Sequence, residues 1–377
     1  MKFKYPTKLD KIFEKLILND AKPIIIGGFV RDTILKIDSI DIDIEVYNID
    51  SFEKLENILK EFGSVNSVGR SFGVCKLDFD EFKLDFTLPR VDSKVSNGHC
   101  GFDVKIDSSL DYKTASSRRD FTINTIGYDV ASKTLLDPFN GIDDLKNKTL
   151  KVVDADKFGE DPLRILRAMQ FCARFELTLD AKLISICQDM CSKNILAELP
   201  NERIFEEFNK LFLKSSKPSI GLIFLKQINA LDFFHELNLE KSDWLFTLDA
   251  LDRCEKNITI QLACICFKMK EKDIERFIVK LTNQKKLLRD IKQYHHIVYF
   301  LKNKNHILKY SIIKDADLDL LSIFLNGIDY KEENLKDIKK LKPLINGKEL
   351  IEVGFKPSKE FSDLLQLIYE IQYLHHF

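Results

Sequence analysis

The sequence predicts an α+β fold, in which a head with a mixed or antiparallel sheet and flanking helices precedes an all-helical neck, body and tail. Two patterns support this prediction. Near the N-terminus, segments such as PIIIGG and DIDIEVYNI have the composition or the two-residue period of strands. From about Gly159 onward, apolar residues recur every three or four positions, as they do in amphipathic helices. We therefore predict a head at residues 1–147, a neck at 148–215, and a body and tail at 216–377.

The elements of the head follow in order from local patterns. The two strands above precede SFEKLENILKEFG, an amphipathic helix that Gly63 would end. FGVCKLDF and FKLDFTLPR are further strands, and the Asp80-Glu81 pair between them predicts a hairpin. The segment from Pro89 to Asp107 contains glycine and serine without periodicity. It is predicted to be a long loop, and such loops are often functional or mobile.

Beyond the head, the segments with clear periodicity are helical. The main patterns are DPLRILRAMQFCARF, NERIFEEFNKLFL, IGLIFLKQINALDFF, TIQLACICFKM and NQKKLLRDIKQYHHIVYFLKNKNHILKY. No repeat of solenoid length is present, so a repeat architecture is excluded.

The composition excludes several classes of protein. Lys and Arg number 58 and Asp and Glu 59, and this balance neither indicates nor excludes nucleic-acid binding through a local basic surface. No apolar run approaches the ~20 residues of a membrane span, and the charged N-terminus lacks the apolar centre of a signal peptide. The eight cysteines, scattered from Cys75 to Cys266, lack the spacing of a metal site. We expect free thiols in a cytoplasmic protein without membrane association.

Asp41 and Asp43 form the first candidate site. Residues two apart on a strand face the same side, so both carboxylates would lie together while Ile42 and Ile44 enter the core. Paired carboxylates stay ionised at low cost only beside positive charge. Mg²⁺ suits them, because it binds one or two carboxylates and keeps its other positions for water and phosphates. A solvated edge strand is the alternative explanation.

Gly27 and Gly28 follow directly after a predicted strand. Glycines there let backbone amides approach a polyphosphate, and a helix starting near Val30 would direct its positive end to the same group. Arg31 would add a bidentate phosphate contact. The spacing is neither Gly-x-Gly-x-x-Gly nor a P-loop, so those two nucleotide-binding folds are not indicated. Together with the aspartate pair, these residues predict a triphosphate-and-metal site; a simple turn is the alternative.

The segment GGFVRD…DID resembles the opening motif of the class II nucleotidyltransferases, which include the tRNA CCA-adding enzymes and bacterial poly(A) polymerases. Further similar motifs follow in the family's order along nearly the whole chain: SRRDFTINTIGYD, LLDPFNGIDDLKNKTLKVV, GEDPLRILRAMQFCARF and PLINGKELIEVGFKPSKEFSDLLQLIYEIQ. The resemblance implies a nucleotidyltransferase head, CTP and ATP as substrates, Mg²⁺ as cofactor, and the tRNA acceptor arm as partner of the helical body and tail.

The resemblance also implies which residues act. Asp41 and Asp43 would hold two Mg²⁺ for in-line displacement at the α-phosphate, with pyrophosphate leaving. Asp85, on a later strand, is a weaker third catalytic carboxylate. The motif that would contact the ribose and phosphates of the nucleotide comprises Arg118, Arg119, Asp120 and Asn124.

Asp161, Arg164 and Arg167 stand at three-residue intervals and would line one face of the neck helix, with Pro162 in its first turn. By the resemblance, all three are candidate nucleotide-binding residues. In the family the first two act as a protein template for the base. The carboxylate accepts from an amino group and the guanidinium donates to ring acceptors, a pattern that cytosine and adenine satisfy and uracil and guanine do not. An ion pair on a solvated helix is the structural alternative.

The chain departs from the family pattern at several positions. Gln170 stands where a further arginine is common, and Thr125 where alanine is usual. Lys36 occupies the place of a glycine after the first helix of the motif, so a left-handed helix cap is not expected there. Ser358 and Ser362 replace tail glycines, which would weaken backbone contacts with tRNA phosphates.

Two features favour CCA addition over poly(A) addition. VGRSFGVCKL resembles the Gly-Arg-x-Phe segment of CCA-adding enzymes, and the long basic C-terminal extension of the polymerases is not expected. The predicted loop from Pro89 to Asp107 resembles the flexible loop with which full CCA-adding enzymes switch from CTP to ATP. CC-only addition, A-only addition and poly(A) addition remain alternatives, as does a catalytically silent tRNA-binding protein. The sequence does not indicate an oligomeric state.

Overall fold

The computed structural model describes residues 3–69, 73–94, 102–302, 316–330 and 343–376. The chain divides into two compact units, Met1–Leu199 and Pro200–Phe377. The first unit is α+β and the second is helical, which confirms the predicted fold class. The predicted domain boundaries after residues 147 and 215 stay predictions.

The strands that the structure describes lie in the first unit. They are β1 (Lys22–Ile26), β2 (Asp41–Tyr47), β3 (Val65–Gly69), β4 (Val74–Phe79), β5 (Phe82–Thr87), β6 (Arg90–Lys94), β7 (Phe102–Ile106), β8 (Gly127–Asp129), β9 (Thr134–Leu136), β10 (Thr149–Leu150) and β11 (Thr178–Leu179). The helices of this unit are α1 (Asp10–Leu18), α2 (Gly28–Ile34), α3 (Phe52–Leu59), α4 (Tyr112–Ser116), α5 (Gly141–Lys146), α6 (Ala155–Phe158), α7 (Leu163–Phe175) and α8 (Ala181–Ser192).

Seven strands form one mixed sheet in the order β3-β4-β5-β2-β1-β8-β9. Its central strand, β2, pairs antiparallel with β1 and parallel with β5. The other pairings of this sheet are antiparallel, and β4 and β5 form the predicted hairpin around Asp80. The parallel pair arises because α3, β3 and β4 intervene between β2 and β5 in the chain.

The segment from Pro89 to Asp107 is not the long loop that its composition predicts. β6 and β7 pair antiparallel from Arg90 with Ile106 to Lys94 with Phe102, and residues 95–101 between them lie outside the described residues. The segment FDVKI of β7 does alternate apolar and polar residues, whereas RVDSK of β6 does not, so local composition shows one short strand at most and not the pairing of the two. Residues 70–72 of the Gly-Arg-x-Phe segment also lie outside the described residues.

The expectation that Lys36 would not form a left-handed helix cap is wrong. Lys36 has φ +60° after α2, the amide of Ile37 donates to the carbonyl of Asp32, and that of Lys36 donates to Thr33. This is the Schellman arrangement, and its two hydrogen bonds satisfy carbonyls that the end of α2 would otherwise leave open. These bonds offset the roughly 1 kcal/mol that a side chain adds to the left-handed conformation.

The neck helix α7 packs directly against the arginine-rich motif of the head. Phe121, which follows that motif, is fully buried, and its ring lies 5.6 Å from the rings of both Phe158 and Phe171. Aromatic pairs at this separation stabilise the packing beyond the area they bury. Because head and neck share this core, residues of α7 have fixed positions relative to the motif.

The second unit is a set of helices with an aromatic core. They are α9 (Asn201–Lys214), α10 (Ser219–Gln227), α11 (Lys241–Arg253), α12 (Ile258–Cys266), α13 (Glu271–Leu281), α14 (Lys285–Lys302), α15 (Leu318–Gly327), α16 (Gly347–Glu352) and α17 (Lys359–His376). The ring of Phe208 lies 5.5–6.2 Å from those of Phe212, Phe234 and Phe277, and all four side chains are buried. Among the described residues, no helix has the length and apolarity needed to cross a membrane.

Candidate active site

The strand β2 presents the predicted aspartate pair as its alternation requires. Asp41 and Asp43 are exposed, whereas Ile42 and Ile44 are buried in the core. Asp85 lies directly opposite Asp43 in the parallel register of β5. The sheet therefore brings the three predicted catalytic carboxylates to neighbouring positions.

The electrostatics of these carboxylates favour a cation. Although Asp43 reaches solvent, its pKa is raised, first because nearby protein atoms partly desolvate it, and also because Asp85 and Asp41 lie close. Arg119 and Lys76 act in the opposite direction, and Lys76 Nζ lies 3.0 Å from Asp85 Oδ2.

These carboxylates suit a divalent cation that keeps open positions. Hard oxygen donors of this kind fit Mg²⁺, which completes its coordination with water and phosphate oxygens. Within the described part of the chain, no group of three or more His, Cys, Asp and Glu side chains could enclose a metal ion. Because Asp41 and Asp43 are exposed, an ion bound there would keep positions for water and substrate oxygens.

The turn after β1 brings the glycine pair to the arginine-rich motif. Gly27 has φ +64° and precedes α2, which begins at Gly28 and so two residues before the predicted start near Val30. A Cβ on Gly27 would lie 2.8 Å from Nη1 of Arg119. Glycine is required here both by the backbone conformation and by the close approach of this guanidinium.

Arg119 is held beside the glycine turn by few direct contacts. Its Nη1 donates to the carbonyl of Asn124 at 3.2 Å, and its buried Nε has no hydrogen-bond partner among the described residues. Burial lowers the pKa of this guanidinium, but Glu45, Tyr112 and Asp43 raise it by more. Arg119 is therefore firmly charged and retains a buried donor for an anion.

Arg31 is buried and already bound to protein groups. Its Nε and Nη2 donate to Asp32 Oδ1 at 2.8 and 2.7 Å, and its Nη1 donates to Asn124 Oδ1 at 2.5 Å. The guanidinium carbon also lies 5.1 and 4.6 Å from the ring centres of Phe171 and Phe175. The predicted phosphate contact of Arg31 stays a prediction; in the structure this residue joins α2 to the motif and to α7.

Asp120 and Asn124 complete the same network. Asp120 Oδ1 accepts from Asn124 Nδ2 at 2.9 Å, and its Oδ2 accepts from Arg167 Nε at 2.6 Å. Burial alone would raise the pKa of Asp120, but Arg167 and Asn124 lower it below its ordinary value. Arg167 thus ties the neck helix to the motif, while its predicted role toward the nucleotide stays a prediction.

Contrary to the prediction, Asp161 and Arg164 do not both lie on one face of the helix. Asp161 lies before α7, where its Oδ1 accepts from the amide of Leu163 at 3.0 Å and so caps the helix. Pro162 follows it without an N–H, which makes this residue pair a natural helix start. Arg164 donates to the carbonyls of Lys157 and Arg118 at 2.8 and 2.9 Å. Its Nε lies 4.0 Å from Asp161 Oδ2, so the proposed base-reading pair is adjacent although only one member is helical.

Three further residues belong to this network and were not singled out as site residues by the sequence. Glu45 is buried on β2 and pairs with Arg118. Asp32 accepts from Arg31 and from Arg174 of α7, at 3.1 Å for the latter. The alternation that selects Asp41 and Asp43 extends to Glu45 and would have found it, whereas no local signal pairs Asp32 with Arg174.

The structure shows the surroundings of Gln170, Thr125 and Ser358, which depart from the family pattern. Gln170 is buried in α7, and Thr125 is buried with its hydroxyl donating to the carbonyl of Thr122 at 2.7 Å. Ser358 accepts a hydrogen bond from the amide of Phe361 at the start of α17. The weaker tRNA contact predicted for Ser358 and Ser362 stays a prediction.

Comparison with known proteins places this arrangement in a family. The family model of the poly A polymerase head domain matches residues 24–151. A multifunctional CCA protein of Xylella fastidiosa (strain 9a5c) is 32% identical over 214 residues, which cover 56% of this chain and 49% of that protein. The chain thus spans about half the length of this curated relative.

Two further comparisons extend over more of the chain. The solved structure of the Thermotoga maritima CCA-adding enzyme complexed with tRNA-CCA has a TM-score of 0.68 at 18% identity, covering 100% of this chain and 97% of that one, which shows a shared fold. The CCA-adding enzyme of Buchnera aphidicola subsp. Baizongia pistaciae (strain Bp) is 30% identical over 295 residues, covering 72% of this chain and 68% of that protein. With this identity over more than two thirds of both chains, the protein belongs to the class II nucleotidyltransferase family that includes the CCA-adding enzymes.

Proposed function

We propose that this protein adds the terminal CCA sequence to tRNA from CTP and ATP, without a nucleic-acid template and with release of pyrophosphate. The observation that carries the proposal is the convergence of three distant segments in one unit. Arg119 lies against the Gly27 turn, Asp43 lies beside both, and the helix with the base-reading residues is tied to the same motif through Asp120. The family relationship supports the same activity.

Asp41 and Asp43 would hold Mg²⁺, with Asp85 as the third carboxylate. Bound there, the metal supplies charge for a two-metal displacement, lowering the pKa of the attacking hydroxyl and stabilising the leaving group. In the reaction the 3′-oxygen of the tRNA forms a bond to the α-phosphorus of the nucleotide. The bond from that phosphorus to the bridging oxygen breaks, and pyrophosphate leaves.

The triphosphate would lie beside the Gly27 turn, next to the guanidinium of Arg119 that contacts this turn. Because Gly27 and Gly28 have no side chains, Arg119 and an anion can both approach this turn. The buried Nε of Arg119, which has no hydrogen-bond partner among the described residues, offers the anion a donor. Arg118 lies next to Arg119 and adds positive charge. None of these groups discriminates between bases, so this part of the site would bind CTP and ATP alike.

Base selection would rest with Asp161 and Arg164. The carboxylate accepts from the amino group of cytosine or adenine, and the guanidinium donates to their ring acceptors. The two carbonyl contacts of Arg164 fix its orientation, and the capping bond fixes that of Asp161. A pair held in this way selects by hydrogen bonding and requires no template strand.

We propose tRNA as the partner, recognised by shape through its acceptor arm, which is consistent with the solved tRNA complex of the Thermotoga relative. Because such binding depends on phosphate contacts, its affinity should fall as salt concentration rises. The predicted compartment remains the cytoplasm.

The direct test uses purified protein, Mg²⁺ and three tRNA transcripts that end before CCA, after the first C and after CC. Each transcript receives CTP alone, ATP alone or both, and product length is read on a gel. The proposal predicts stepwise extension that stops at CCA.

Each other outcome contradicts the proposal in a defined way. Addition of C only, or of A only to the CC-ended transcript, would assign the protein half of the reaction. Unlimited addition of A to any RNA would assign it poly(A) synthesis. Binding of tRNA without any extension would leave a catalytically silent tRNA-binding protein.

A further inference from the structure

Glu45 occupies an unusual position for a carboxylate. It lies on β2 two residues beyond Asp43, so it shares the strand face of the aspartate pair. Whereas Asp41 and Asp43 are exposed, Glu45 is completely buried. A buried carboxylate is costly unless it is hydrogen-bonded and paired with a cation, so its contacts indicate why it is there.

Both carboxylate oxygens of Glu45 are bound. Oε2 accepts from the hydroxyl of Tyr47 at 2.6 Å, and Oε1 accepts from Nη2 of Arg118 at 3.1 Å. Tyr47 is itself buried, so the carboxylate is fixed on one side by the strand and its hydroxyl partner. Its other side is directed at the arginine-rich motif.

The charge of Glu45 balances two neighbouring guanidinium groups. Arg118 pairs with it directly, and Arg119, the next residue, lies against the Gly27 turn and within electrostatic reach of both Glu45 and Asp43. Without Glu45, the next carboxylate that acts on Arg119 is Asp43. Arg119 would then be drawn toward the aspartate pair and away from its position beside the turn.

We propose that Glu45 is a positioning residue for nucleotide binding, which orients Arg118 and balances the charge of Arg119, so that Arg119 stays beside the Gly27 turn. This inference rests on the proposed function, because it assigns the two arginines to the triphosphate of CTP and ATP. Glu45 itself does not touch the nucleotide. Since the triphosphate is common to both substrates, Glu45 should affect CTP and ATP equally and should not affect the choice of base.

The test compares Glu45→Gln with the same substitution in a buried ion pair of the second unit. Gln keeps the size of the side chain and an acceptor for Tyr47, but it removes the charge and turns an amide donor toward Arg118. The control is Glu236→Gln in the second unit, where Glu236 is likewise buried and pairs with Lys280 at 2.9 Å. Dissociation constants for CTP and ATP are measured by calorimetry, alongside KM, kcat, and the preference for CTP over UTP.

For Glu45→Gln we expect the dissociation constants and KM values for CTP and ATP to rise together by about 10-fold or more, as loss of a charge-assisted bond implies. The preference for CTP over UTP should stay within about twofold of the unmodified protein. Glu236→Gln should lower the melting temperature without changing either dissociation constant. A purely structural role for Glu45 would instead make both variants alike.

Several results would overturn the inference. It fails if Glu45→Gln binds both nucleotides like the unmodified protein, or if only one nucleotide or the CTP preference changes. If Glu45→Gln does not fold, Glu45→Asp takes its place: it keeps the charge but withdraws it from Arg118, and an unchanged affinity would again reject the inference. An unmodified protein that binds both nucleotides but extends no tRNA would reject the proposed function alone, because the affinity comparison remains valid.

Discussion

The two units of the chain bury different kinds of side chain, although each has a substantial core. In the first unit, buried charges form a connected network, in which Asp32 joins Arg31 to Arg174 and Asp120 joins Asn124 to Arg167. The second unit is centred on aromatic rings. Among its described residues the buried carboxylates form separate local pairs, such as Glu236 with Lys280.

The difference between buried charges and buried aromatic rings reflects different requirements on the two interiors. Buried ion pairs add little stability compared with well-packed apolar residues, because desolvating two charges offsets most of their attraction. A connected charge network therefore indicates a demand for fixed geometry and charge, which a nucleotide site imposes. An aromatic core suffices where the requirement is a stable shape.

The largest effect is expected from a substitution in the exposed aspartate pair of β2. Asp43→Asn should reduce kcat for tRNA extension by about 10³-fold or more, because one of the two carboxylates for the metal is lost. Single-turnover extension measures this change. Asp78→Asn, at an exposed aspartate on strand β4, which β5 separates from β2, is the control and should retain activity. Equal activity of both variants would contradict the assignment of the aspartate pair.

The converse experiment disturbs the aromatic core of the second unit. Phe208→Ala should lower the free energy of unfolding by roughly 3–5 kcal/mol, because it leaves a cavity among three other rings. The affinity of the folded protein for CTP should change little. Leu213→Ala, at a partly exposed position on the same helix, should cost less than about 1 kcal/mol. Urea unfolding and calorimetry separate the two effects, and a loss of CTP affinity in Phe208→Ala would remove the contrast between the units.

Gly27→Ala tests the contact between the glycine turn and the arginine motif. The new Cβ would lie 2.8 Å from Arg119 Nη1 on a backbone with φ +64°, so Arg119 must move. We expect kcat/KM for CTP to fall by about 10- to 100-fold. Gly354→Ala is the control, since its φ is +99° but no atom lies within 4 Å of the added Cβ. Its backbone strain should affect stability and not nucleotide affinity, and equal losses of affinity would argue that strain alone is responsible.

The smallest effect is a change of selectivity. Asp161→Asn keeps an oxygen to cap Leu163 but adds an amide donor that suits the O4 of uracil. The ratio of kcat/KM for UTP to that for CTP should rise about 10-fold, within the range of one hydrogen-bonding group. Asp156→Asn, an exposed residue of α6, should leave the ratio unchanged. An unaltered ratio in Asp161→Asn would place base selection elsewhere.

Much of the fold was accessible from local patterns. The alternation of DIDIEVYNI predicted both the strand and its exposed aspartates, and the hairpin around Asp80 was also predicted correctly. The predicted helices are present, but IGLIFLKQINALDFF is α-helical only to Gln227, and the helix predicted to end at Gly63 ends at Leu59. Residues 303–310 of the last predicted helix lie outside the described residues.

The errors concern strand pairing, helix ends and caps. In the hairpin of β6 and β7 only FDVKI alternates, and its sequence does not show which segment it pairs with. The left-handed cap at Lys36 depends on hydrogen bonds made by its neighbours.

The candidate site, like the fold, was predictable from the sequence only in part. The residue types and spacing of Gly27, Asp41 and Asp43 are enough to indicate a phosphate-and-metal site, and the family resemblance extends it to the arginine motif. The sequence does not show that Arg119 lies against Gly27 or that Asp161 caps the helix before Arg164. Nor does it show that Glu45 is buried and pairs with Arg118.

The sequence by itself determined which face of each element is apolar and which side chains carry chemistry, because those properties follow from the backbone periods of strands and helices. Only the tertiary structure decided which of these side chains meet. The parallel pairing of β2 with β5 and the packing of Phe121 against the neck helix bring together residues from distant parts of the chain. Such pairings depend on the register and packing of whole elements, which no short stretch of sequence specifies.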